Sequence, residues 1–106
     1  MNFSEYQTKA RITAIYPKGL SIIYPTLGLC GESGEVAEKV KKYFRDNTDL
    51  DSLKFQVRKE LGDVLWYISN IASDLNISLD DVAITNIDKL KDRVDRNMLH
   101  GSGDNR

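Results

Sequence analysis

Between Ser52 and Leu75 the chain reads SLKFQVRKELGDVLWYISNIASDL, a run long enough for about seven helical turns. At about 100° per residue, Val57, Leu61, Val64, Leu65, Ile68, Ile71, Ala72 and Leu75 fall on one arc, the stripe of an amphipathic helix rather than the alternation of a half-buried strand. Glu60 stands at the edge of that arc and Asp63 on its outer side. The preceding segment repeats the design. With Glu32 as the zero of angle, Leu29, Val36, Ala37, Val40, Tyr43 and Phe44 fill one arc, and Glu35 lies on the other side of Glu32. A helix is predicted from about Pro25 to Arg45, with Pro25 suited to its first turn and Asp46-Asn47-Thr48 supplying the break. The next starts at Asp51 or Ser52 and reaches about Leu75.

Outward from this pair, Ser78 begins a further helix. Ser78-Leu-Asp-Asp81 resembles a capping box with Asp in place of Glu, Asp80 and Asp81 suit the helix dipole, and the helix frays near Asn97. Ser4 caps a first helix to about Ile15, with Phe3, Tyr6, Ala10 and Ile12 as inward residues. The tail from about residue 98 to Arg106 has no apolar period and reads as a loop or extended arm. Both prolines, Pro17 and Pro25, fall in the first quarter, so nothing later interrupts long helices. The expected fold is all-α, a bundle of about four helices in a single domain spanning residues 1–106.

A chain of 106 residues buries only about 65% of its unfolded surface, which favours enlarging the core with partner chains. The composition is 41% hydrophobic and 29% charged, with 15 basic against 16 acidic residues, which argues against a nucleic-acid or anionic-membrane binder. Cys30 is the sole cysteine, excluding an internal disulfide and a multi-cysteine zinc site. The start MNFSEYQTKARIT lacks the apolar core of a secretory signal, and no apolar run approaches the roughly 20 residues that span a bilayer. A soluble, cytoplasmic protein is expected.

If the two central helices pack as an antiparallel hairpin, Glu32, Glu35, Glu60 and Asp63 border one apolar seam and converge. Like charges in a partly dry place need a positive counter-charge, and oxygen ligands in that number suit Mg²⁺ or Mn²⁺ rather than zinc. Such an ion attracts phosphate oxygens and activates water, which points to hydrolysis of a phosphate ester or anhydride. A pair of acids three residues apart is by itself commonly a solvated face; two matched pairs are not. Gly31, Gly34 and Gly62 each sit inside a helix, where glycine costs about 1 kcal/mol relative to alanine. They predict close approach by another helix or by a ligand.

The segments Gly31-Glu-Ser-Gly-Glu-Val-Ala-Glu38 and Lys59-Glu-Leu-Gly-Asp-Val-Leu-Trp66 resemble the MazG-type nucleotide pyrophosphohydrolases of the all-α NTP pyrophosphatase superfamily, whose pattern is Glu-x-x-Glu followed at a distance by Glu-x-x-Asp. The likeness runs from about Tyr24 to Arg106. It implies a helical dimer or dimer of dimers with the site beside the subunit interface. It also implies attack of water on the α-phosphorus of a nucleoside triphosphate, releasing pyrophosphate, and metal-ligand roles for Glu32, Glu35, Glu60 and Asp63. One of these carboxylates, with Glu35 preferred, or else Glu38, orients the water. Ser33 stands where some relatives have Glu, which leaves the number of metal ions open.

Tyr67, one turn after Asp63, faces the same edge and either meets the substrate or marks the boundary of the core. Lys39 and Lys42 share the acidic edge of the second helix and either offset triphosphate charge or keep the helix solvated; Glu38 has Lys42 at i+4. On the fourth helix Ala83, Ile87, Leu90 and Val94 form an apolar stripe. Asn86, Lys89 and Arg93 line an edge suited to clamp phosphates, and these three match the family pattern. Asp104, Asn105 and Arg106 also match relatives and either close over a nucleotide, in their own or a neighbouring subunit, or form a bland, disordered terminus. Trp66 points away from the main seam, which predicts a second contact, a subunit interface or a stacked base. The competing readings are a metal- and nucleotide-sensing helical dimer without turnover, and a purely structural four-helix module.

Overall fold

Asn47, at φ 53°, turns the chain between two long helices, and Asp49 starts the second by accepting the Ser52 N–H at 2.8 Å. Asparagine tolerates this left-handed backbone, and an aspartate side chain satisfies a donor that the first turn leaves free. In the computed structural model, which describes residues 1–97 and 101–104, the elements are α1 (Phe3–Ile12), a 3₁₀ turn (Lys18–Leu20), α2 (Ile23–Asp46), α3 (Leu50–Asp74) and α4 (Leu79–Asp95). Among the described residues there is no strand, so the all-α expectation holds. Among the described residues no helix is long and apolar enough to cross a membrane.

α2 and α3 form the antiparallel hairpin that the two stripes predict. Ile22 meets Asp74, Tyr24 meets Tyr67, and Glu32 meets Glu60, so the register descends on one helix as it rises on the other. α3 closes with Asn76 at φ 57°, while the Ile77 N–H reaches the Ala72 carbonyl at 2.8 Å and the Asn76 N–H reaches Ser73 at 3.1 Å. These two bonds satisfy carbonyls that the last turn would leave open. Ser78 caps α4 as predicted, accepting the Asp81 N–H at 3.2 Å.

α1 lies on α3 and touches α4, fastened by polar contacts that no periodicity announces. Gln7 donates to Ser73 Oγ at 3.1 Å and to the Ile77 carbonyl at 2.9 Å, and its own oxygen accepts the Leu79 N–H at 2.8 Å. One side chain thus stitches α1 to the α3–α4 turn. The helix begins earlier than expected from a Ser4 cap, with Asn2 accepting the Glu5 N–H, and it stops at Ile12. Only Ala10 of the expected inward residues is fully buried. Tyr6 is half-buried, whereas Phe3 and Ile12 are exposed, because the face turned to α3 carries Gln7, Ala10 and Arg11 instead.

A second polar clasp binds the start of α2. Asp74 Oδ2 accepts the Tyr16 hydroxyl and the Ile22 N–H, both at 2.8 Å, and Arg11 Nη1 lies 2.7 Å from Oδ1. This holds Ile22 at φ 70°, an uncommon backbone for a β-branched residue. Burial opposes ionisation of Asp74, but the Ile22 N–H, the Tyr16 hydroxyl and Arg11 outweigh it and keep the carboxyl below its usual range.

Among the described residues the buried apolar ones are Ala10, Pro25, Ala72 and Leu79, while Ile12, Ile15 and Phe44 remain 77%, 92% and 73% exposed. The radius of gyration is 16.5 Å, against about 13 Å for a compact domain of this size. A single chain therefore leaves much of its apolar striping uncovered. α4 departs most from expectation: Ile87 and Val94 of its stripe are exposed, whereas Arg93, placed on the polar edge, is buried at 4%. The helix lies against α1 and α3, with Ala83 and Leu90 of the stripe half-buried while Ile87 and Val94 are left in the open.

Candidate metal centre and the hollow beside it

Glu60 and Asp63 are three residues apart on α3 and share a face; across the hairpin, α2 presents Glu32 to them. One carboxylate oxygen from each lies within 4.8 Å of the others. Burial, then a shared hydrogen bond with Glu60, then the charges of Asp63, Glu60 and Glu35 push the Glu32 carboxyl above its usual range. The three oxygens form the donor set of a hard divalent cation, and the repulsion felt by Glu32 is what such a cation relieves. The trio is therefore a candidate metal centre. Glu35, exposed, stands outside it, although its charge reaches Glu32.

Beside the trio is a hollow of about 350 Å³ lined by Thr13, Glu32, Asp63, Trp66 and Tyr67. Trp66 and Tyr67 meet edge to face at 5.0 Å, Tyr24 lies 6.4 Å from Tyr67, and Tyr16 stacks on Tyr24 at 4.9 Å. Burial, and then the neighbourhood of Tyr24, Glu32 and Asp63, push the pKa of the Tyr67 hydroxyl up. The second contact predicted for Trp66 is made by the chain itself: its indole N–H donates to Thr13 Oγ1 at 2.7 Å. Thr13 and Tyr6, the latter shifted upward by burial and by the Asp63 charge, bring α1 to the site. Both lie outside the acidic motifs, and no spacing in α1 marks them.

Of the basic and amide side chains expected to hold phosphates, Lys39, Lys42, Asn86, Lys89 and Arg93 do not line this hollow. Glu38 is paired with Lys41 at 2.9 Å and Lys42 at 3.4 Å, and these partners, Lys41 first, draw its carboxyl below the usual range. Lys39 is half-buried on α2, about two turns beyond Glu32. Asn86 and Lys89 border a shallow depression of about 410 Å³ on α4 with Ile77, Asp81, Val82 and Thr85. Asp104 bends back onto α4, its carboxylate 3.1 Å from Lys89 Nζ and 3.4 Å from Arg93 Nη2, while its carbonyl accepts from Arg93 at 2.9 Å. Asn105 and Arg106 lie outside the described residues.

Gly31, Gly34 and Gly62 are not close-approach points within the chain: a Cβ at any of them meets nothing within 4 Å. The glycine that is crowded is Gly28, against the Tyr67 ring. Cys30, in the same turn of α2, is exposed.

The chain is 43% identical over 116 aligned positions, covering 100% of both chains, to the Gene 37 protein of Mycobacterium phage L5. No solved structure matches it. The model of the MazG nucleotide pyrophosphohydrolase domain matches residues 25–97, the span that holds all but the first two residues of the hairpin, all of α4 and the three converging carboxylates. With this match across the site-bearing helices, the chain belongs to the MazG nucleotide pyrophosphohydrolase family.

Proposed function

We propose that this protein is a Mg²⁺-dependent nucleoside triphosphate pyrophosphohydrolase, converting a ribo- or deoxyribonucleoside triphosphate and water to the monophosphate and pyrophosphate. The observation that carries the reading is the convergence of Glu32, Glu60 and Asp63 from two helices, oxygens within 4.8 Å, in a chain of this family. These three would hold the ion, leaving Glu35, one turn along α2, to orient the water; Mn²⁺ is a workable substitute because it takes the same oxygen donors. When bound, the ion supplies charge neutralisation to phosphate oxygens and acidifies water.

The chain's own groups do the rest. Glu35 is exposed and adjacent, so its carboxylate is suited to accept the proton of the attacking water. Trp66 and Tyr67 offer aromatic surface to the nucleotide in the hollow. Lys39, Lys42, Asn86, Lys89 and Arg93 answer the charge of the phosphates. Within one chain Asn86, Lys89 and Arg93 line no part of the hollow, and the apolar faces of α2, α3 and α4 are uncovered. A homodimer or dimer of dimers meets both needs, covering those faces and bringing a second copy's α4 edge to the phosphates. The working setting is a reducing cytoplasm, which keeps the exposed Cys30 a thiol.

The test is a panel of canonical and modified NTPs and dNTPs, with and without Mg²⁺, products resolved by chromatography, and Glu35→Ala and Asp63→Ala as controls. Metal-dependent release of monophosphate and pyrophosphate, lost in the variants, is expected. Tight Mg²⁺ binding with no turnover across the panel would instead favour a nucleotide sensor.

A further inference from the structure

We infer that Gly28 is a positioning residue that acts through Tyr67: the missing side chain on α2 is the slot in which the Tyr67 ring stands beside the carboxylates. A Cβ built at Gly28 overlaps that ring, 2.6 Å from Cδ1 and closer still to Cε1 and Cζ, where ordinary contact begins near 3.4 Å. Helix α2 carries two further glycines in the following turns, Gly31 and Gly34, and a Cβ at either meets nothing. The requirement for glycine is thus specific to one position and one neighbour.

The other walls of the slot cannot give way cheaply. Trp66 closes one side of the Tyr67 ring at 5.0 Å and is tied to Thr13 by its indole N–H. Tyr24 stands on another side at 6.4 Å, stacked on Tyr16, whose hydroxyl is bonded to Asp74. A methyl group at Gly28 therefore moves the ring itself, by roughly 1 Å, the difference between the overlap and normal contact. Tyr67 shares the hollow with Glu32 and Asp63, so the displacement is felt where the nucleotide sits. A misplacement of that size at a reacting centre costs on the order of 10²-fold in rate at most. Gly28 itself carries no ligand atom and is not one of the trio.

The kinetic part of this inference rests on the hydrolase reading; the position of the ring does not, and the experiment reads both. The wild type, Gly28→Ala, Tyr67→Ala and the double variant are compared for kcat and KM on the best substrate of the panel, for Mn²⁺ affinity, and for the Tyr67 ring resonances by NMR. Gly28→Ala is expected to shift the ring resonances and to lower kcat/KM by about tenfold or more, with Mn²⁺ affinity within about twofold of wild type. In the Tyr67→Ala background the same change should cost nothing further, because residues that act through one another are non-additive. Wild-type kinetics and ring shifts in Gly28→Ala, or losses that multiply in the double variant, would overturn the inference. If Gly28→Ala does not fold, the double variant decides: folding with the kinetics of Tyr67→Ala supports it, and failure to fold overturns it. If the wild type turns over nothing, the hydrolase reading falls and the ring shifts alone decide for or against Gly28.

Discussion

Replacing Asp74 with alanine should destabilise the protein by about 2–4 kcal/mol, although Asp74 lies in neither acidic motif. Its side chain is 1% exposed and gathers two neutral donors, the Tyr16 hydroxyl and the Ile22 N–H, each at 2.8 Å. Each makes a hydrogen bond to a charged acceptor, worth about 1.5–3 kcal/mol, the exposed Ile22 N–H at the low end because water can take the acceptor's place and the part-buried Tyr16 hydroxyl above it. Arg11 adds little, because its side chain is 44% exposed and keeps Asn70 and Tyr16 as acceptors. Some of the loss returns if Ile22 relaxes from φ 70°, where about 1–3 kcal/mol of backbone strain is held. For a domain of this size the net corresponds to a fall in melting temperature on the order of 10–25 °C. Thermal melts at neutral pH and fixed protein concentration read it directly. Asp74→Asn keeps one acceptor oxygen and should fall between wild type and Asp74→Ala. The sign with pH is fixed too: the carboxyl lies below its ordinary value of 3.8, so its contribution is complete above that value and disappears as pH falls through the lowered one. An Asp74→Ala protein melting within about 2 °C of wild type would show that the clasp contributes little to stability.

Glu32→Gln and Asp63→Asn should each weaken Mg²⁺ binding at least about tenfold by calorimetry while leaving metal-free stability equal or higher, since they remove repulsion. Because the Glu32 carboxyl is raised above 4.5, metal-free stability should decline as pH climbs from there through the raised value, and Mg²⁺ affinity should increase across the same window; Glu32→Gln flattens both slopes in chelator-treated melts and titrations. Trp66→Phe deletes the bond to Thr13 and should cost about 1 kcal/mol in chemical denaturation, with Thr13→Val added to the Trp66→Phe protein costing little more.

The parts of the fold that sequence reading reaches are those whose causes are local. Ser78 caps a helix where a side-chain oxygen precedes an apolar period, and the hairpin follows from two stripes of the same design, although α3 starts at Leu50 on an Asp49 cap, ahead of the Asp51 or Ser52 start that the sequence suggests. Glu32, Glu60 and Asp63 are legible for the same reason, as residues at fixed angles on two adjoining helices. Gln7, Asp74 and Thr13 are not, since each satisfies partners more than fifty residues away and leaves no periodic trace. Helix-interior glycines flag a need for room without saying which of them needs it. Only the path of the Tyr67 ring singles out Gly28 over Gly31, Gly34 and Gly62. The turn of α4 that buries Arg93 is equally invisible, because periodicity fixes which residues share a face and not which way the face looks.

The fold-back of Asp104 gives α4 a threshold for anions. An anion arriving at Lys89 and Arg93 changes places with a carboxylate carried only 11 residues beyond Arg93, present at an effective concentration on the order of millimolar. The resident carboxylate is 84% exposed and singly charged, so it yields readily to a ligand with more charge to offer. Chloride or acetate at ordinary concentrations gains little by the exchange, whereas a polyphosphate gains on each cation it meets. A tail held this way would favour polyvalent over monovalent anions at Lys89, while the Arg93 guanidinium keeps the Asp104 carbonyl as its acceptor.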